Sequence, residues 1–370
     1  RTGKTNAYIF LSKIMQETPK KILLGMLISN GDCLLATVLA KQIKKDYPGC
    51  HLTWAISNFC RQVIENNPDV DVVWEVHLVD KEAGVKEGWL SFQQEALKRK
   101  EAGEFDEVFL TQVYPSNVHN FDGTTRGSIY NSYPHPVTVE ARPVLRLYEN
   151  EIKKIKLFAE QYQLDKYKHV VLFECSAFSE QSFVDPEWAL AVALPLVQRF
   201  NNLLFIFSTH LKLDTPHERI IIGNLLSLRE NAELTKYCTL FIGCSSGITW
   251  MATTDWAKRL SMIQFLKRGV GFRFASIAYD HRYWGLDDSL IIETTNAGTD
   301  HAVELICDVL NNGIPVCKPK YHRELKPRLI FLLKYSFMFF RRGKFGKSLK
   351  IVKNFMGRNY FRKQRPLKLH

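Results

Sequence analysis

At 370 residues the chain is too long for one ordinary hydrophobic core, and two domains of roughly 150 residues are expected. Its 46% hydrophobic and 24% charged residues are those of a soluble globular protein, and its eight scattered cysteines form no C-x-x-C pair, which argues against a disulfide framework or a zinc site and for a reducing compartment. The net charge of +12 is uneven: residues 318–370 hold 17 Lys and Arg against the single acid Glu324, a charge of +16, so the preceding 317 residues sum to −4.

Arg1-Thr2-Gly3-Lys4-Thr5 matches the end of a phosphate-binding loop, but with no first glycine and no strand before it the match is one of chance. Residues 7–15 read as a short amphipathic helix. From Lys21 the pattern changes. The apolar run Ile22 to Ile28 predicts a central parallel strand buried on both faces, and Ser29-Asn30-Gly31-Asp32 breaks it. A helical pattern follows at once through Leu34, Leu35, Val38, Leu39 and Ile43. The break therefore lies at the carboxyl end of a strand, where open α/β sheets bind ligands; the plain structural alternative is that Gly31 makes the turn and Asp32 caps the helix.

Further strands are expected at 51–56, 70–76 and 107–111, with helices at 58–66 and 89–100. Residues 114–143 show no period, as in a functional loop or lid. A helix over 145–163 joins this half to a second alternation. Its strands are expected at 168–174, 203–208, 238–243, 260–265 and 289–292, and its helices at 186–200, 218–228, 231–237, from 248, and at 300–310. The organisation predicted is an extension (1–20), an N-terminal Rossmann-like domain (21–144), a linker helix (145–167), a second Rossmann-like domain (168–317) and a basic amphipathic tail (318–370).

Two such halves facing a cleft describe the GT-B architecture. The run Lys21-Ile22-Leu23-Leu24, Asn30-Gly31-Asp32, Leu39, Tyr47-Pro48-Gly49, Leu52-Thr53-Trp54, Asn66-Asn67-Pro68-Asp69-Val70-Asp71 resembles the N-terminal half of glycosyltransferase family 9, which contains the ADP-heptose:lipopolysaccharide heptosyltransferases. The second half is similar in layout and departs in detail. Gln181 stands about where that family has a phosphate-facing Lys, and Ser245-Ser246-Gly247-Ile248-Thr249-Trp250 replaces its Asp-Ser/Thr-Gly and following His with Ser and Trp.

The resemblance implies an inverting, metal-independent enzyme that moves a sugar from a nucleotide-sugar donor to a lipopolysaccharide-core or other cell-surface glycan acceptor, without a cofactor. It makes Asp32 the catalytic base. Donor contacts are expected from Ser176, Ser179, Gln181, His210, Ser245, Ser246, Gly247 and Thr249, and acceptor contacts from Asn30, Gly31, His119 and Arg126. The replaced Asp, His and Lys leave nucleotide and sugar open. They also leave open a catalytically silent GT-B-like binding protein, while a nucleotide-sugar epimerase would need two acid/base groups where the sequence offers one.

The tail lies outside this pattern. Its apolar stretch 329–340 and the interleaved Arg341, Arg342, Lys344, Lys347, Lys350 and Lys353 suit an interfacial segment on anionic lipid. Packing against the body and nucleic-acid binding are the weaker readings. With no signal-peptide pattern and no apolar run long enough to span a bilayer, the expected location is cytoplasmic and peripheral on the inner face of the membrane.

Overall fold

The computed structural model describes residues 18–79, 85–175, 181–209, 217–267 and 274–361. The phosphate-loop match at 1–5 and the helix expected at 7–15 lie outside these residues. The N-terminal sheet contains β1 (Lys21–Gly25), β2 (His51–Ser57), β3 (Val72–Val76) and β4 (Glu107–Leu110), all parallel, in the order β3-β2-β1-β4. Helices α1 (Asn30–Asp46), α2 (Val85–Glu101) and α3 (Thr125–Tyr130) accompany it. Helix α1 carries Asp32 in its first turn and Lys44 and Lys45 in its last, charges that complement the helix dipole. Ten of its residues, from Cys33 to Ile43, are buried.

Helix α4 (Glu149–Gln161) leads to the second sheet. It begins later than expected because Leu145 and Leu147 are packed into the N-terminal core, and Glu151 then caps the helix start by accepting from Tyr148 N at 2.8 Å. The second sheet holds β5 (His169–Glu174), β6 (Leu203–Ser208), β7 (Ile220–Ile222), β8 (Leu240–Gly243), β9 (Ser261–Phe265) and β10 (Ile291–Thr294). Its order is β10-β9-β8-β5-β6-β7, again parallel throughout. Helices α5 (Pro186–Arg199), α6 (Glu230–Leu234), α7 (Gly247–Met251), α8 (Ile277–Trp284), α9 (Thr299–Asn312) and α10 (Ile314–Tyr321) complete this domain. The two Rossmann-like sheets and the helical tail are the GT-B arrangement that the residue pattern predicts.

Two expectations fail locally. The helix expected over 218–228 is instead the edge strand β7, because the β-branched run Ile220-Ile221-Ile222 pairs with Phe205, Ile206 and Phe207 of β6. The helix expected over 58–66 is only the 3₁₀ turn Arg61–Val63, since Asn66 turns left-handed at φ 59° and Pro68 follows.

The tail folds into α11 (Leu329–Arg341) and α12 (Phe345–Met356), ending in a wide turn over Gly357–Phe361. Leu332, Phe339, Ile351 and Phe355 pack on Val118 and Phe121 of the N-terminal domain, so the inner face of the tail does fold back on the body. In each sheet the chain reverses direction of progression beside one strand, between β1 and β4 and between β5 and β8. Such switch points open crevices at the carboxyl ends of the strands.

Gly243, last in β8, admits no side chain. A Cβ there would lie 2.4 Å from Gln264 Nε2, 2.4 Å from Phe241 Cε1 and 2.5 Å from Thr249 Oγ1. Gly243→Ala is expected to cost about 1–3 kcal/mol through overpacking. Thermal unfolding checks it, and an unchanged midpoint would contradict it.

Candidate active site

The first switch point is tied down by side chains from β2 and from the segment that follows β4. Beyond Gly25 the backbone leaves the sheet, and its polar groups find fixed partners. Leu27 N and Ile28 N donate to Gln112 Oε1 at 3.0 and 3.2 Å, and Gln112 Nε2 donates to Tyr114 O at 2.9 Å. Trp54 Nε1 donates to Met26 O at 3.1 Å, and Ser57 Oγ to Leu27 O at 2.6 Å. Ser29 then adopts φ 68°, a left-handed conformation unusual for a residue with a Cβ, and α1 begins. So Ser29, not Gly31, makes the turn, and Asp32 sits one residue run further, in the first turn of α1 rather than at its cap. Gly31 serves close approach instead: a Cβ on it would stand 3.1 Å from Trp250 Cδ1 of the other domain.

The second switch point is built around a buried carboxylate. Glu174, at the end of β5, accepts from Cys244 N at 2.9 Å, from Thr249 Oγ1 at 2.6 Å and from Ser246 Oγ. Ser245 is held left-handed at φ 56°; its N donates to Gln264 Oε1 (2.9 Å) and its Oγ to Ala275 O (2.6 Å). Gln181 Nε2 donates to Ser245 O at 2.8 Å. The strained turn at each switch point is thus over-determined by its surroundings, the condition under which such conformations persist.

The two turns face each other across an interdomain cleft of about 1860 Å³. They nearly touch, for a Cβ on Gly247 would lie 3.6 Å from Asn30 Cβ. Several buried polar atoms lining the cleft have no hydrogen-bond partner: Asn30 Oδ1, Gln181 Oε1 and Arg126 Nη2. Buried polar groups are nearly always paired, so their orphaned state marks the place where a polar ligand would complete them. Gln181 is only 5% exposed, which makes its lone carbonyl oxygen the sharpest instance.

Of the expected donor residues, Gln181, Ser245, Ser246 and Gly247 line the cleft. Thr249 is wholly buried and its hydroxyl is spent on Glu174. Ser176, Ser179 and His210 lie outside the described residues. Of the acceptor residues, Asn30 and Gly31 line the cleft beside Asp32. Arg126 also lines it, yet is 1% exposed and committed elsewhere: Nε lies 2.9 Å from Asp280 Oδ2, an ion pair without hydrogen-bond alignment, and Nη1 donates to Ala141 O. His119 is not on the cleft wall; it sits beneath the tail helices. The pattern of residue types did not place Glu174, Asp280 or the tail's Tyr335, Phe339, Arg342, Lys344 and Lys347 at the site, and all but Glu174 line the cleft. Nothing local in the sequence signals such long-range partners. All eight cysteines are buried and free, and no group of three His, Cys, Asp or Glu among the described residues could hold a metal ion.

The architecture has counterparts among solved structures. A glycosyl transferase family 9 protein from Veillonella parvula superposes with a TM-score of 0.54 at 16% identity, over 81% of this chain and 94% of that one. ADP-heptose lps heptosyltransferase II of E. coli gives 0.52 at 12% identity, over 79% and 98%. A protein described as a UDP-N-acetylglucosamine 2-epimerase from Listeria monocytogenes gives 0.51 at 12%, over 94% and 99%. At these identities the likeness is one of fold. No protein-family model and no curated protein matches the chain.

His119 offers a pH test of how the tail is seated. Burial first, then the neighbouring Lys347 and Lys350, lowers its pKa to about 4. A histidine depressed from 6.5 contributes stability above pH 6.5 that is lost as pH falls towards 4, because only the unfolded chain takes up the proton in that window. His119→Asn is therefore expected to flatten the fall in melting temperature between pH 6.5 and 4. An identical slope in both proteins would refute this.

Proposed function

We propose that the chain is an inverting glycosyltransferase that needs no metal and transfers a sugar from a nucleotide-sugar to a hydroxyl of a cell-envelope glycan, heptosyltransferase-like in its chemistry. The observation that carries this reading is the pair of strained turns facing each other across one cleft, one bearing Asp32 and the other opening α7, with orphaned polar atoms between them. The donor diphosphate would lie against the backbone N–H groups that begin α7. The hydroxyls of Ser245, Ser246 and Thr249 hold the turn in shape through Ala275 and Glu174 rather than reaching for the ligand. Gln181 Oε1 and Asn30 Oδ1 would accept from sugar hydroxyls.

In the reaction Asp32 takes the proton of the acceptor hydroxyl as its oxygen attacks the anomeric carbon. The bond from that carbon to the diphosphate oxygen breaks on the opposite face, inverting the configuration, and the leaving diphosphate keeps the electron pair. The names of the fold neighbours, glycosyl transferase family 9 and ADP-heptose lps heptosyltransferase II, support a nucleotide-sugar donor and accord with a lipopolysaccharide acceptor. The neighbour described as an epimerase fits less well, because that chemistry needs a second acid/base group beside the sugar, and among the described residues the carboxylate of the opposite switch point, Glu174, is buried and taken up by Cys244, Ser246 and Thr249.

Thermal-shift measurement against ADP-, GDP-, UDP- and CMP-sugars tests the proposal. A rise in melting temperature with one of them is expected, followed by nucleotide release when envelope glycolipid is added, unchanged by EDTA. Stabilisation without any turnover would turn the reading into that of a sugar-nucleotide-binding protein, and silence across the panel would overturn it.

A further inference from the structure

The tail helices bury one face and leave the other bare. On α11 the exposed residues Leu329, Leu333, Phe337 and Phe340 recur at i, i+4, i+8 and i+11 and so form one stripe. On α12 Phe345 and Leu349 continue it. The stripes meet at the hairpin, where the Phe340 and Phe345 rings stand edge to face with centroids 5.1 Å apart. Phe337 is 59% and Leu349 69% exposed, although each helix has a separate buried face formed by Leu332, Phe339, Ile351 and Phe355. The hairpin thus has two apolar faces, and only one is used by the fold. A contiguous exposed apolar patch of this kind marks an interaction surface.

Charge decides what covers it. No acidic residue follows Glu324, whereas Lys334, Arg341, Arg342, Lys344, Lys347, Lys350 and Lys353 flank or interrupt the stripe. Beyond Glu324 the ion pairs described are those of Lys326 and of the buried Arg358, which leaves these flanking cations without a described carboxylate partner. A protein partner that covered the stripe would need an acidic surface matched to these cations. A second copy of this chain would instead set like charges against each other. A surface that accepts bulky apolar side chains and offers dense negative charge at the same depth is an anionic lipid bilayer. No helix among the described residues is long and apolar enough to cross one, so the contact would be interfacial.

We infer that the α11–α12 hairpin docks the protein on an anionic membrane surface, with the Leu329–Phe340 and Phe345–Leu349 stripe inserted and the flanking lysines and arginines on the headgroups. The same hairpin contributes Arg342, Lys344 and Lys347 to the wall of the interdomain cleft. Docking therefore brings the cleft mouth to the bilayer, where a lipid-linked acceptor would enter. This last step rests on the glycosyl-transfer reading; the docking does not.

The test is co-sedimentation of the whole chain with phosphatidylcholine vesicles containing or lacking 30% phosphatidylglycerol, with no donor or acceptor present. Binding is expected only to the anionic vesicles, and it should weaken several-fold between low and high salt. The double variant Phe337→Ser, Phe340→Ser should lose at least ten-fold in partitioning, while keeping its melting temperature because both side chains are exposed. Absence of binding to anionic vesicles overturns the proposal, as does a variant that binds as well as the parent. Two further results would overturn it: sedimentation of the parent as a dimer that the double variant abolishes, or binding of a single-stranded oligonucleotide in preference to the vesicles. Because no sugar chemistry is measured, failure here leaves the transfer reading standing, and failure of the nucleotide-sugar screen leaves the docking standing.

Discussion

Asp32→Asn is expected to reduce nucleotide release from the stabilising nucleotide-sugar by about 10²–10⁴-fold in the presence of acceptor, the range that a positioned general base contributes. The substitution keeps the shape of the side chain and removes its ability to take a proton. Its structural cost is small, because Asp32 lies in the first turn of α1 and not at the cap. Its charge–dipole contribution to the helix is worth about 0.3–1 kcal/mol near a surface, and asparagine keeps an oxygen that can accept a hydrogen bond in the same place. The melting temperature should therefore stay close to that of the parent. Donor-induced stabilisation should also persist, since the donor would be seated on the α7 turn of the other domain. Loss of turnover with both thermal signatures intact is the expected triple result. Turnover equal to the parent's would show that Asp32 is not the base, and loss of donor binding would show that the turn carrying it does a different task.

The sequence-level reading reached this corner because its signal is local. An apolar run, a four-residue break and a helical period from Leu34 onward are all visible within 25 residues, and the parallel order of the strands follows from runs such as Val170 to Phe173 and Leu203 to Phe207, buried on both faces. The turn itself was legible as a place and not as a conformation: Ser29 takes the positive φ, whereas Gly31 stands where Trp250 approaches from the other domain, 3.1 Å from the position of a Cβ. The donor side was harder for the same reason. Ser245, Ser246 and Thr249 look like ligand contacts when listed by residue type, but their hydroxyls are taken by Ala275 and Glu174, the latter 72 residues from Ser246 in sequence. Periodicity also misled at Ile220 to Ile222, where an apolar run of three is too short to separate a strand from a helix without knowing that β6 lies beside it.

The least legible contact joins residues 236 apart and should carry the largest stability effect: Arg358→Met is expected to destabilise the chain by about 3–5 kcal/mol, the range for removing one partner of a buried ion pair. Arg358 is 4% exposed, donates to Asp122 Oδ2 at 2.9 Å and lies 3.6 Å from Asp280 Oδ1, with its guanidinium 3.6 Å from the centroid of the Tyr283 ring. Asp280 in turn faces Arg126, so the tail, the N-terminal domain and the C-terminal domain meet at one buried cluster of two cations and two carboxylates. Burial raises the pKa of Asp280 even with both arginines in place. Without Arg358 that shift should grow. A carboxyl whose folded pKa is raised stabilises the folded state least once pH has risen past it, so the penalty of Arg358→Met should be greater at pH 8 than at pH 5. The double variant Arg358→Met, Asp122→Asn removes both charges of the closest pair and should recover part of the loss, since much of the cost lies in the carboxylate left unpaired. Denaturant unfolding at the two pH values measures all of this. Limited proteolysis reads the location, with cleavage after Arg341 or Lys344 expected to quicken as the tail loosens from Val118 and Phe121. A single variant as stable as the parent at pH 8 would mean that the cluster holds nothing, and that the apolar face of α11 and α12 alone seats the tail.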